Sequence, residues 1–202
     1  MDRLITVVAA FKQELLPLME MQKFSVKKKT VGDATLYSGY NTDFLRVGMG
    51  NRNAYYNLHH YLKERMPDKI LNIGLAGALK VGIDLGTVYK INRIHALKDD
   101  KIIYPLNIQT LPQFAETCLV TSIDPVQSTT VKDDLYQSFG CILVDMEAHI
   151  IGRIAEQHQI PFYCLKAVSD TADENTPVQF KQNHIPICDK LAKVVSDNLL
   201  TQ

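Results

Sequence analysis

The sequence predicts an α/β fold built on a mixed sheet. Three observations carry this. Short runs rich in Val, Ile and Leu alternate with amphipathic segments along the chain; several of those runs end in glycine- or carboxylate-bearing turns; and residues 34–37 and 43–47 are placed to pair as a hairpin through Ser38-Gly39-Tyr40-Asn41. A hairpin among βα units puts antiparallel pairs into a sheet that the βα units alone would make parallel.

Each element follows from its local pattern. Residues 4–10 are apolar and read as the first strand, and 13–21 as the helix after it. Beyond the hairpin, residues 53–65 form a helix that ends before Pro67, because proline pushes the preceding residue out of the helical region. Residues 69–73 are a strand opening onto the loop Gly74-Leu75-Ala76-Gly77-Ala78, and 87–97 a longer strand. Strands at 118–123, 141–144 and 161–168 complete the sheet, with helices near 130–138, 146–157 and 185–199. The basic run Lys27-Lys28-Lys29 reads as a solvated turn.

Composition narrows the function classes. The 202 residues are 46% hydrophobic and no Pro/Gly/Ser tract divides them, so one domain over residues 1–202 is expected. The 22 Lys and Arg balance 22 Asp and Glu, which gives no electrostatic case for nucleic acid or an anionic membrane. The apolar stretch 4–10 is short for a signal-peptide core and nothing reaches the length of a membrane-spanning helix, so a cytoplasmic protein is expected. Cys118, Cys141, Cys164 and Cys188 form no Cys-x-x-Cys pair and read as buried free thiols. His59-His60 lacks metal-ligand spacing, and neither a phosphate-binding loop nor a dinucleotide fingerprint appears, so no metal and no cofactor are expected.

In open α/β sheets ligands bind beyond the carboxyl ends of the strands. Those ends supply Glu14, Gly48-Met49-Gly50-Asn51, Gly74-Leu75-Ala76-Gly77, Asp145-Met146-Glu147 and Ser169-Asp170. A carboxylate where a buried strand turns outward is desolvated and suited to hold a proton, as a general acid must, which singles out Asp170. Each residue also has a structural reading. Glu14 could be an exposed acid in the first turn of its helix, Asp145 an N-cap, Asp170 and Asp173 turn caps, and the glycines the residues of tight turns.

Five segments, Ala9-Ala10-Phe11-Lys12-Gln13-Glu14, Gly48-Met49-Gly50, Gly74-Leu75-Ala76-Gly77-Ala78-Leu79, Val144-Asp145-Met146-Glu147-Ala148 and Ala167-Val168-Ser169-Asp170-Thr171-Ala172-Asp173, resemble the nucleoside phosphorylase and nucleosidase superfamily, above all its 5'-methylthioadenosine/S-adenosylhomocysteine nucleosidases. The resemblance implies a three-layer α/β/α sandwich around a twisted mixed sheet. It implies a homodimer or larger homo-oligomer that hydrolyses the N-glycosidic bond of a purine nucleoside, 5'-methylthioadenosine or S-adenosylhomocysteine, in methionine salvage. On the matching positions Asp170 donates a proton to N7 of the purine and Ser169 orients it. Glu147 grips the ribose hydroxyls, Met146 lies against the sugar, and Glu14 holds the attacking water. Asp145, Ala76, Gly77, Val126 and Lys166 complete the substrate-binding set.

Three positions depart from the family pattern. Leu75 replaces a Ser or Thr, Lys166 replaces an arginine, and residues 122–127 lack the aromatic ring that stacks on the purine. The tract 98–113 resembles a trimmed or mobile substrate loop. Phosphorolysis, for which Arg46, Arg52 and Lys166 could gather at the crevice and to which the Asp145-Met146-Glu147 form points by its resemblance to phosphorylase-like proteins of hopanoid or futalosine pathways, and a non-catalytic nucleoside binder or scaffold are the alternatives. The chemistry itself asks for this kind of site: cleaving a ribose-to-purine bond leaves positive charge on the sugar and negative charge on the base, so carboxylates must serve both ends. Crowded together, they ionise interdependently, and one of them is expected to keep its proton.

Overall fold

A computed structural model of the protein describes residues 4–22 and 27–200. Strand β1 (Ile5–Ala9) is apolar on both faces, Val7 packing into one helical layer and Val8 into the other. A strand buried on both faces lies inside a sheet, and β1 has β4 (Thr42–Arg46) on one edge and β5 (Lys69–Ala78) on the other, both parallel to it. Beyond β4 the sheet continues antiparallel through β3 (Ala34–Ser38) to β2 (Lys27–Val31). The run Lys27-Lys28-Lys29 is therefore not a turn but the exposed outer strand, where lysines keep a free edge from pairing further.

On its other side β5 pairs parallel with β10 (Phe162–Asp170), and near its end, past the stretch paired with β1, its first edge pairs antiparallel with β9 (Leu143–Asp145). From β9 the order runs through β8 (Glu116–Thr121) to β6 (Val88–Ala96), and β6 pairs back onto β10. Strands β5, β9, β8, β6 and β10 thus close into a ring, with the β1-β4-β3-β2 ribbon running out from it. Strand β7 (Asp99–Ile103) pairs antiparallel with β6, so the tract expected to be a substrate loop begins as sheet.

Helices cover both faces, as a three-layer sandwich requires. Leu15 and Leu18 of α1 (Lys12–Met21) and Leu191 of α5 (Thr176–Val195) pack with Val7, Phe44 and Leu71. Leu58 and Tyr61 of α2 (Asn51–Glu64) and Ile151 and Ile154 of α4 (Ala148–Gln157) pack with Val8, Leu45 and Ile70. Leu135 of α3 (Thr129–Phe139) joins Val120 and Val144 in a smaller cluster.

Two boundaries differ from expectation, each for a tertiary reason. β5 runs straight through the glycine-rich stretch, because β10 and β9 both supply pairing there. α5 begins at Thr176 and not near 185: Pro177 occupies its first turn, where no N–H is needed, and Pro186 is tolerated inside the helix on its exposed side. A π-helical turn, Ser196–Leu200, follows it.

The docking of α2 onto the sheet is fixed by a polar contact inside the core. Tyr61 Oη donates to Asp43 Oδ2 at 2.8 Å and lies 2.6 Å from Thr6 Oγ1, while Arg65 Nε pairs with the same Asp43 oxygen at 2.8 Å. Burial first, and Asp43 beside it, raise the Tyr61 pKa and keep the phenol neutral. Tyr61→Phe keeps the packing but strips a donor from a fully buried carboxylate, and is expected to destabilise the protein by about 1–3 kcal/mol in urea unfolding.

Candidate active site

The carboxyl ends of β1, β5, β9 and β10 lie together; those of β1, β9 and β10 lead to polar side chains at one cleft, and β5 adds a backbone N–H. Glu14 stands in the first turn of α1 but is 4% exposed, so it is not the solvated helix-start acid that its position alone permits. Its Oε2 accepts the Phe11 N–H at 2.8 Å and its Oε1 the Leu75 N–H at 2.9 Å, which ties α1 to β5. Burial raises its pKa above the usual carboxylate range, against the pull of Lys166 and of these N–H groups.

Lys166 of β10 lies opposite Gly74 of β5. A Cβ at Gly74 would stand 2.8 Å from Glu14 Oε1 and 3.2 Å from Lys166 Nζ, so the missing side chain is what admits both groups. Lys166 Nζ is bonded to Asp145 Oδ2 at 2.8 Å, both side chains being almost wholly buried. Burial works against its charge, but Asp145 outweighs this and the Lys166 pKa is raised. The pair lies behind the cleft wall: Asp145 reaches the lining and Lys166 does not. Asp145 is also held by Thr121 Oγ1 at 2.7 Å and accepts the Ala148 N–H at 3.0 Å; it is not the N-cap of α4, a place Glu147 takes, but it does satisfy the first N–H of that helix.

Glu147 Oε1 accepts the Gly50 N–H at 2.5 Å. Burial, and then the Asp145 charge, push its pKa up to about 8, so among the crowded acids this one carries a proton at neutral pH.

Asp170 ends β10 and is 6% exposed. Ser169 Oγ donates to its Oδ2 at 2.6 Å; the Ala172 N–H and Thr176 Oγ1 each donate to its Oδ1 at 3.0 Å. Oδ1 also lies 2.9 Å from where a Cβ on Gly77 would be, so a glycine at that point of β5 is what lets the carboxylate settle. Ala172 takes up the left-handed region at φ 50°, which turns its N–H back onto Asp170.

The resulting cleft encloses about 230 Å³. Ala76, Gly77, Val126 and Met146 line it as the sequence suggests, together with Glu14, Asp145, Glu147, Ser169 and Asp170. Sequence reasoning missed Thr176 and Phe180, and named Met49 and Phe11 only within the segments Gly48-Met49-Gly50-Asn51 and Ala9-Ala10-Phe11-Lys12-Gln13-Glu14; all four line the cleft. Phe11 and Phe180 sit with ring centroids 6.0 Å apart, so aromatic surface absent from residues 122–127 comes from α5 and from the turn before α1. The one local signal for Phe180 was Thr176-Pro177, a proline in a helical first turn that places residue 180 one turn in. Among the described residues, no Lys or Arg lines the cleft.

A sequence model of the phosphorylase superfamily matches residues 94–201. Along its length the chain is 25% identical to a 5'-methylthioadenosine/S-adenosylhomocysteine nucleosidase of Buchnera aphidicola subsp. Schizaphis graminum, 98% of each being covered. Among solved structures, the nucleosidase of that name from Neisseria meningitidis with methylthio-immucillin-A superposes with a TM-score of 0.89 at 22% identity, over 96% of this chain and 97% of that one. The futalosine hydrolase of Helicobacter pylori superposes with a TM-score of 0.90 at 16% identity, over 96% of each.

The Glu147 environment sets a pH dependence of stability. Unfolded, this carboxyl titrates near the ordinary 4.5; folded, near about 8. Between those values the folded chain binds a proton that the unfolded chain has lost, so the contribution of this group to stability falls as pH rises through the interval. Glu147→Gln has no proton to lose. Calorimetry across pH is expected to show it with a higher Tm than the parent at about pH 9, the gap closing toward about pH 4; a gap independent of pH would show that Glu147 does not titrate in this way.

Proposed function

The chain belongs to the phosphorylase superfamily, and from that premise we propose that it is a purine nucleosidase, which hydrolyses the N-glycosidic bond of 5'-methylthioadenosine or S-adenosylhomocysteine and releases the free base. The observation that carries this reading is a cleft walled by Glu14, Asp145, Glu147 and Asp170 into which no cation projects. Such a site suits water and offers a phosphate no cationic partner. Arg46 and Arg52 are absent from the lining, Lys166 is committed to Asp145, and Leu75 offers only a backbone N–H that Glu14 already occupies. A mere binder has no use for a water-holding base placed opposite a hydrogen-bonded acid.

In this mechanism Asp170 protonates a ring nitrogen of the base as the bond breaks, with Ser169 holding the carboxyl in place. Glu147 and Met146 lie along the sugar, and Glu14, drawn toward ionisation by Lys166, takes a proton from the attacking water. Met49, Phe11 and Phe180 give one end of the cleft an apolar character that fits a thioether substituent.

Further readings accompany the activity. Elements from both ends of the chain join one sheet, which supports a single domain over residues 1–202. Free Cys118, Cys141, Cys164 and Cys188 fit the reducing cytoplasm, where these substrates of methionine salvage arise. Exposed Tyr55 and Tyr56 on α2, near the half-exposed Met49 of the cleft, form apolar surface that a second copy of the chain would cover.

The test is release of base from 5'-methylthioadenosine, S-adenosylhomocysteine, adenosine, inosine and futalosine, each with and without phosphate. Phosphate-independent release is expected, and a requirement for phosphate would replace hydrolysis by phosphorolysis. Asp170→Asn is expected to lower kcat by about 10²- to 10⁴-fold with ligand binding retained, and Glu14→Gln to slow hydrolysis comparably; unchanged rates in steady-state assays would remove that residue from the mechanism.

A further inference from the structure

We propose that Thr176 is a positioning residue whose hydroxyl closes the Oδ1 side of Asp170, so that the proton destined for the leaving base is carried on Oδ2. The inference rests on the nucleosidase reading and adds to it a residue outside the carboxylate set.

The argument is a count of lone pairs. A carboxylate oxygen has about two acceptor sites. On Oδ1 both are taken, one by the Ala172 N–H and one by Thr176 Oγ1, each at 3.0 Å. The hydroxyl hydrogen of Thr176 has its direction set, because the Thr176 oxygen already accepts the Asp173 N–H at 3.0 Å and so turns its own hydrogen to Asp170. Oδ1 also lies 2.9 Å from where a Cβ on Gly77 would stand, which leaves it little room for a further partner. Oδ2 has a single partner, Ser169 Oγ at 2.6 Å, which leaves it one site for a proton. Ser169 has the Ala76 carbonyl at 3.4 Å as a second acceptor, so its hydrogen can turn away when Oδ2 is protonated.

The proton inventory closes. As the C–N bond breaks its electron pair goes to the base, the proton on Oδ2 passes to a base nitrogen, and the hydroxide equivalent of water bonds to the sugar carbon while its proton goes to Glu14. Exchange with solvent returns both carboxyls to their starting states. Without the Thr176 hydroxyl, Oδ1 regains the acceptor site that hydroxyl held, and the proton can settle there and not on Oδ2. Substrate still binds, but most bound complexes hold the proton on the wrong oxygen.

The experiment compares Thr176→Val, Thr176→Ser and Gln179→Ala on whichever nucleoside of the panel the parent cleaves, with thermal unfolding of each. Gln179 Oε1 accepts from Thr171 N and Oγ1 at 2.8 and 2.9 Å, so its loss loosens the same loop without touching Asp170. Thr176→Val is expected to lower kcat by about 10- to 100-fold, because most bound complexes then carry the proton on Oδ1, with KM within about threefold. Thr176→Ser should restore kcat to within about threefold, and Gln179→Ala should leave it within the same range. If Thr176→Val does not fold, Thr176→Ala carries the same comparison. A parent that cleaves substrate beside a Thr176→Val of unchanged kcat overturns this inference and leaves the nucleosidase reading standing. Equal losses in Thr176→Val and Gln179→Ala, or no rescue by serine, show loop packing instead and overturn it too. A parent silent on the whole panel overturns the nucleosidase reading, and this inference with it.

Discussion

The buried ion pair between Lys166 and Asp145 is the interaction on which the site depends. Dehydrating two charges is expensive, and such a pair is seldom a net source of stability. Its value here lies in what it permits. Glu14, Asp145 and Glu147 are nearly dry, and three carboxylates in so small a volume would repel one another without a cation behind the wall. The ammonium is deep enough to neutralise Asp145 and to act on Glu14 and Glu147, yet it stays out of the cleft. A lysine serves because the contact is one short bond to a single oxygen, and the two-pronged geometry of a guanidinium is not required.

Distances within the site are set by β5. Its Leu75 N–H holds Glu14, and its Gly77 abuts Asp170, so base and acid are referred to points two residues apart on one strand, about 7 Å along it. The same two-residue step returns to the same face of the sheet. β10 brings Lys166 opposite Gly74 and Asp170 opposite Gly77, with a register shift between Val168 and Asp170, while β9 places Val144 opposite Gly77 from the other edge. A slip of one residue in either pairing would turn the catalytic face into the core face, so the ring closure that locks β5, β9, β8, β6 and β10 together also locks the spacing of the chemistry.

This explains which parts of the protein were legible in its sequence. Asp170, Glu147 and Glu14 stand where apolar runs stop, and charge at such points leaves a local mark. Val7 and Val8, apolar on both sides of one strand, announce a sheet covered on both faces. What depended on partners distant in sequence was not legible. Gly74 to Ala78 resemble a loop until β9 and β10 are known to pair with them. Lys166 resembles a substrate contact until Asp145 is seen to hold it behind the wall. Phe180 resembles an ordinary helix-face residue until α5 is known to begin at Thr176 and to bring the ring against Phe11. The lysines of β2 carry no signal that separates an edge strand from a turn, because both are solvated.

The carboxyl groups show how one residue chemistry is divided into several roles by surroundings alone. Asp145 receives the cation. Glu147, next to Asp145 and dry, avoids a second negative charge by keeping its proton, and in that state it can both give and accept a hydrogen bond with a pair of sugar hydroxyls. Glu14 is raised by burial against the opposing pull of Lys166 and of backbone N–H groups. Asp170 is separated from that cluster by the width of β5 and has its own donors, Ser169, Ala172 and Thr176. Acid and base chemistry in one cleft needs carboxyl groups whose environments differ in this way. With its buried cation committed to Asp145, the cleft offers a phosphate no positive partner among the described residues, and this distribution of charge favours the hydrolytic reading over phosphorolysis.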